Sequence, residues 1–159
     1  MTKEQAVLSG FSFIGRMART TNEAEMKGEG VISSQWDAFY KEPFVDRIPQ
    51  QKEEAIIALY TDYESDETGE YTFAIGAKVQ DEAEAPEGLS KVTVPEATYV
   101  KFTSRKGPMD QVVMEAWQEI WEWSKANPNK RAFIADFEVY DERAQDPQNG
   151  QVDIYISVV

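Results

Sequence analysis

The chain of 159 residues contains no cysteine and no histidine. Thiol chemistry, disulfides, the usual zinc sites and every histidine-based catalytic triad are therefore excluded. No apolar run approaches the roughly 18–20 residues needed to cross a bilayer. The opening Met1-Thr2-Lys3-Glu4-Gln5 also lacks the basic-then-apolar pattern of a secretory signal, so the expectation is a cytoplasmic protein with no membrane partner. Bases are scarce: 16 Lys and Arg stand against 29 Asp and Glu, a formal net charge of −13. Phosphate binding needs clustered bases, and Lys91, Lys101, Arg105 and Lys106 are scattered, so nucleic acid is not expected as a direct partner. Carboxylates, hydroxyls, tyrosines and lysines are what remains for chemistry, and no cofactor or metal is called for.

Apolar residues make up 42% of the chain and aromatics 12%, which suits one folded domain with a substantial core. From Val7 to Thr20, Phe11, Phe13, Ile14 and Met17 mix with two glycines, which predicts a strand with a bulge at a glycine. Polar residues 22–30 read as a loop. Val31, Ile32, Trp36, Phe39 and Tyr40 fall at helical spacing, and Pro43 is read as the stop. Ala55–Tyr63 reads as a strand, joined through an acidic turn to an alternating, half-buried strand over Tyr71–Val79. Residues 81–88 are acidic and linker-like. Lys91–Thr103 reads as one strand, with Pro95 marking a bend inside it or an edge position. The runs of acids at 62–70 and 81–87 are read as solvated turns.

Pro108 suits the first position of the longest predicted helix, which runs to about Ala126. Its polar residues Gln111, Glu115, Gln118, Glu119 and Glu122 occupy a narrow arc. Val112, Val113, Met114, Ala116, Trp117, Ile120, Trp121 and Trp123 spread over about 200°, against the roughly 100° of an ordinary surface helix. Such an arc implies more than cover for one sheet face: a cleft lining or a dimer contact. The segment Phe133–Tyr140 then reads as a strand that carries two acids, Asp136 and Glu138. A buried carboxylate is costly unless paired. The two share strand parity, and mutual repulsion predicts that only one of them is well buried. The chain closes with an alternating strand over Val152–Val159.

The element order is strand, helix, strand, strand, then a linker, then the same again. Ala55–Tyr63 lies over Ala132–Tyr140 without a gap, and Trp36–Tyr40 over Trp117–Trp121, a period of roughly 80 residues. The overlay sets Thr61 at the position of Glu138. The expected architecture is α+β, a duplicated βαββ repeat with halves at about 1–80 and 90–159, forming a curved antiparallel sheet with two main helices and a central cleft.

In the helix Trp117-Gln-Glu-Ile-Trp121-Glu-Trp123, the strand Asp136-Phe-Glu138-Val-Tyr140 and the closing Val152-Asp-Ile-Tyr-Ile156, the sequence resembles the gyrase-inhibitor-like (GyrI-like) small-molecule-binding domain. That domain also serves as the effector-binding part of AraC-type and MerR-type bacterial regulators. Relatives often carry a proline after the final Ile-x-Ile, where this chain has Ser157-Val158. The resemblance implies a stand-alone effector-binding domain with an aromatic cleft and a buried glutamate that pairs with lipophilic cations. The glutamate falls on Glu138, and the lining on Trp117, Trp121, Tyr140 and, by pseudo-symmetry, Trp36. Tyr60, Tyr63, Tyr71, Tyr99 and Tyr155 are strand residues whose access to the cleft the sequence does not rank. The implied partner is a small hydrophobic or cationic ligand, sensed or sequestered. Two other uses stay open: a small-molecule hydrolase with a Glu138/Tyr140 base and acid, and an acidic protein that inhibits a nucleic-acid enzyme. A protein partner or a homodimer would also suit the wide apolar arc.

Overall fold

The computed structural model describes residues 2–42 and 44–159, so Pro43, read as the helix stop, lies outside the described residues. Eight strands form one sheet: β1 Thr2–Leu8, β2 Phe11–Thr20, β3 Ile56–Thr61, β4 Tyr71–Val79, β5 Ser90–Val94, β6 Ala97–Thr103, β7 Arg131–Tyr140 and β8 Asp153–Val158. Three helices accompany them: α1 Asn22–Met26, α2 Ile32–Lys41 and α3 Met109–Ala126. All ladders are antiparallel, in the order β1-β6-β8-β7-β3-β4-β2-β5. The fold is α+β, and the strand order is symmetric about the central β3–β7 seam.

Connectivity forces the sheet to curl. β1 lies at one edge and β2 next to the other, yet only Ser9 and Gly10 separate them in sequence. A chain spans at most about 3.6 Å per residue, so the edges must approach each other. Pro95 and Glu96 impose the same constraint between β5 and β6. Inside the curl, Phe11 on β2 meets Phe137 on β7 edge-on at 5.5 Å across the width of two intervening strands. Phe13, Leu59, Tyr99 and Phe137 fill this concave core. The opposite face carries two further clusters, one under α2 and one under α3, with Tyr140 packed against both.

These connections correct two expectations. The single strand predicted from Val7 to Thr20 is the end of β1 followed by all of β2, because the turn at Ser9–Gly10 sends the chain to the other end of the sheet, and residues 2–6, not read as strand, complete β1. Lys91–Thr103 is likewise divided at Pro95, β5 pairing with β2 and β6 with β1 and β8. The predicted loop at 22–30 contains α1, whose first turn is capped by the Thr21 hydroxyl accepting the Ala24 N–H at 3.0 Å. β4 is buried along nearly its whole length rather than on alternate residues, since α2 covers one face and the curl encloses the other. Pro108 stands one residue before α3, as its N-cap.

On α3 only Val112, Ala116 and Ile120 are fully buried. Val113, Trp117 and Trp123 pack at the margins of that stripe, while Met114 and Trp121 reach solvent. The wide apolar arc is thus a normal core stripe with an aromatic flank directed along the sheet toward Tyr140.

Candidate functional site

Both acids of β7 are buried: Asp136 is 0% exposed and Glu138 2%. The expectation that only one would be is wrong, because the fold answers each in a different way and so relieves their repulsion. Asp136 receives a cation. Arg131, itself nearly buried, donates to Asp136 Oδ2 at 2.7 Å, and the Tyr63 hydroxyl donates to the same oxygen. Asp136 Oδ1 accepts the Ser157 backbone N–H at 2.9 Å, in a stretch where a bulge between Arg131 and Asp136 interrupts the β7–β8 ladder. The Ser157 hydroxyl in turn accepts the Ile134 N–H at 3.1 Å. Asp136 therefore holds the bulge together, standing in for a missing ladder carbonyl.

Glu138 receives no cation among the described residues. Its Oε2 accepts from the Tyr60 hydroxyl at 2.8 Å and from the Trp117 indole N–H at 2.7 Å, and its Oε1 from the Tyr140 hydroxyl. Three neutral donors thus surround one carboxylate, and burial pushes its pKa above the usual glutamate range, with the three hydrogen bonds opposing that shift. Burial and the facing carboxylate drive the Tyr60 and Tyr140 phenols well above their ordinary pKa, so both keep their protons and remain donors.

Strand register explains the convergence. Directly opposed residues of an antiparallel pair share a face, and β3 sets Tyr60 opposite Asp136 and Ala58 opposite Glu138. Tyr60 consequently emerges beside Glu138. Thr61, which the gapless overlay placed at the Glu138 position, pairs with Ala135 and turns to the other face. The β7 bulge shifts the phase of that strand, which the overlay ignored.

Around the carboxylate the aromatics form two arms. On the α3 side, Tyr60 packs against Trp117 at 5.3 Å, and Trp117 against Trp121 at 6.2 Å. On the α2 side, Tyr140 packs against Trp36 at 5.2 Å, and Trp36 stacks on Tyr40 at 6.0 Å. The inner rings are half-buried, while Trp121 is 49% and Tyr40 73% exposed. Each arm thus uses an i, i+4 pair on one helix face, running from a half-buried tyrosine out to solvent. All five residues expected at the site, Trp36, Trp117, Trp121, Glu138 and Tyr140, lie in this one constellation, with Trp121 at its outer rim. Tyr60 was not singled out by sequence. Its signal, an aromatic opposite the acid strand, exists only once the β3–β7 register is known. Tyr63 and Arg131 were likewise hidden, since they serve Asp136.

Among the described residues no cluster of acids suits a metal ion, and no helix is long and apolar enough to cross a membrane.

The curled sheet with two helices on one face is the architecture of GyrI-like effector-binding domains. The family described as Cass2, integron-associated effector binding protein, matches residues 7–158, and the chain belongs to it. YobU of Bacillus subtilis (strain 168), a candidate transcriptional regulator by its name, is 39% identical over 147 residues, which span 92% of this chain and 91% of YobU. The crystal structure of the integron cassette protein VCH_CASS2, from the mobile metagenome of Vibrio cholerae, superposes with a TM-score of 0.75 at 31% identity, covering 99% of this chain and 95% of that one. SAV2435, solved with tetraphenylphosphonium bound, superposes at 0.79 over 100% of this chain and 94% of its own, and at 14% identity shares the fold. The chain is accordingly an effector-binding domain related to transcription regulators.

Proposed function

We propose that this domain captures lipophilic organic cations at Glu138, as a sensor or sequestering protein. The observation that carries the reading is a buried carboxylate with three neutral donors and, among the described residues, no base paired with it, set between two aromatic arms. A quaternary cation has no N–H to offer, so it need not displace those donors. It supplies the positive charge that the fold withholds, while the rings add cation–π attraction of about 0.5–2 kcal/mol each. Trp117 and Trp36 flank the approach, and Trp121 and Tyr40 form its outer rim. The tetraphenylphosphonium bound to SAV2435 supports the choice of ligand class.

The enzyme reading has less support. A hydrolase built on Glu138 and Tyr140 would need the phenol to give up its proton readily, whereas burial and Glu138 hold that proton on.

Tetraphenylphosphonium is the probe, with quenching of the tryptophan fluorescence as the readout. Glu138→Gln keeps an acceptor for the donors and removes the charge. It is expected to weaken binding about tenfold or more, the scale of one lost charge-assisted contact. Equal affinity in the variant rules out the proposed role. Incubation of bound ester or amide compounds with the same pair of proteins tests for turnover.

A further inference from the structure

An open cavity of about 240 Å³ lies on the side of α2 away from Trp36 and Tyr40, lined by Arg16, Met17, Ala18, Val31, Ser34 and Gln35. It sits where β2 runs beyond the last residue paired with β5, Gly15, so that edge of the strand is uncovered by any neighbour. Two features of this cavity are unexplained by the fold. The Gln35 side chain is buried at 6% exposure, and its carbonyl oxygen, turned inward and closed to solvent, has no hydrogen-bond partner. A buried polar atom left alone costs about 1–3 kcal/mol, and native structures rarely retain one without a use. Arg16 is exposed and makes no ion pair among the described residues, in a chain with 29 acids. Arg19, on the same strand, is engaged by Asp62 and Glu70. The cavity thus combines a free guanidinium, an unsatisfied amide and an apolar wall of Ala18 and Val31, while the Met17 side chain alternates to the concave face and packs on the core there.

We infer that this cavity is a second binding site, for a small organic carboxylate that carries an amide and a short apolar group. The guanidinium accommodates a carboxylate with two parallel hydrogen bonds. A small turn of the Gln35 amide presents it to a ligand amide, which donates and accepts in one plane and so meets either orientation. The apolar wall takes the side group. This site selects a charge opposite to that drawn to Glu138, and it lies outside the aromatic arms.

N-acetylvaline has these three parts, and N-acetylvalinamide differs from it only in lacking the charge. Titrated into the full chain and followed by NMR, N-acetylvaline is expected to shift the Arg16 guanidinium and Gln35 side-chain amide signals saturably. A ligand of this size should bind in about the millimolar range. The neutral amide should bind about tenfold more weakly, as should the carboxylate in Arg16→Gln, which removes an exposed charge and leaves tetraphenylphosphonium binding intact. Gln35→Leu removes the stranded amide, so it should fold at least as stably while losing N-acetylvaline binding by a similar factor. Absence of saturable shifts at Gln35 and Arg16 overturns the inference and leaves a cavity filled by water alone. So does equal binding in both variants, or a response confined to the Trp117 indole.

Discussion

Glu138 and Asp136 stand two residues apart on the same face of one strand, and they differ in what answers their charge. For Glu138 the folded-state pKa is raised, burial being the larger cause. Below the ordinary carboxyl range the group is neutral in folded and unfolded chains alike and affects stability little. As the pH rises from that range through the raised value, the unfolded chain ionises first, and the folded state is progressively destabilised. Glu138→Gln should therefore melt at or above the wild-type temperature at neutral pH, and the difference should shrink in acid. Cation affinity should run the other way, rising with pH through the same window as the carboxylate acquires its charge. Thermal melts and tetraphenylphosphonium titrations across pH 4 to 8, roughly the span over which a raised glutamate ionises, check both signs. Asp136 calls for the opposite outcome. Replacing it with asparagine strands the buried Arg131 charge and weakens the brace at the bulge, so the cost should be about 3–5 kcal/mol by denaturant unfolding. An Asp136→Asn protein as stable as wild type would show that the pair is incidental to the fold.

At the level of elements, α2 matters most, since it carries Trp36 and Tyr40 on one side and Gln35 on the other. Its N-cap, Val31, offers no side-chain hydrogen bond. Glu25 of α1 supplies the cap from a distance, its Oε2 accepting the Val31 N–H at 2.8 Å and its Oε1 the Ile32 N–H at 3.3 Å. Gly30 makes room for that carboxylate: a Cβ there would fall 1.9 Å from Glu25 Oε2. Glu25→Ala and Gly30→Ala should each cost about 1 kcal/mol, typical of a lost N-cap. Because both break the same contact, the double variant should cost clearly less than the two together. Additive losses in chemical denaturation would mean that the cap is not what Gly30 protects. None of this was legible beforehand, because with a cap reaching back six residues the N-cap position itself is held by Val31 rather than by a Ser, Thr, Asp or Asn. The helices α2 and α3, the β3–β4 hairpin and the closing strand were legible, since each is set by local periodicity, whereas α1, five residues long, was read as a loop. The separation of β1 from β2 and of β5 from β6 was not: each pair looks continuous by composition, and only the partners across the sheet distinguish them. The same limit concealed Tyr60, whose placement depends on register, whereas Glu138 stood out because a charged residue within an aromatic strand is anomalous by itself.

For the molecule as a whole, charge acts at long range where the aromatic arms cannot. The chain carries a net charge of −13, so in the function proposed above a cation approaching the rim of Trp121 and Tyr40 is attracted well before it meets either ring. Screening separates this field from the local carboxylate. At about 10 mM salt the field extends roughly 30 Å, and at about 1 M only 3 Å. Association of tetraphenylphosphonium should therefore slow several-fold across that range, within the roughly 10 to 10³-fold that steering contributes. Glu138→Gln lowers the net charge only from −13 to −12, so its association rate should fall with salt along almost the same slope. Its dissociation should be faster at every salt concentration, because the buried contact is local and screened little. Stopped-flow traces of tryptophan quenching at a series of ionic strengths report the two rates separately. Loss of the salt slope in the variant would mean that Glu138 itself, rather than the acidic surface, draws the ligand in.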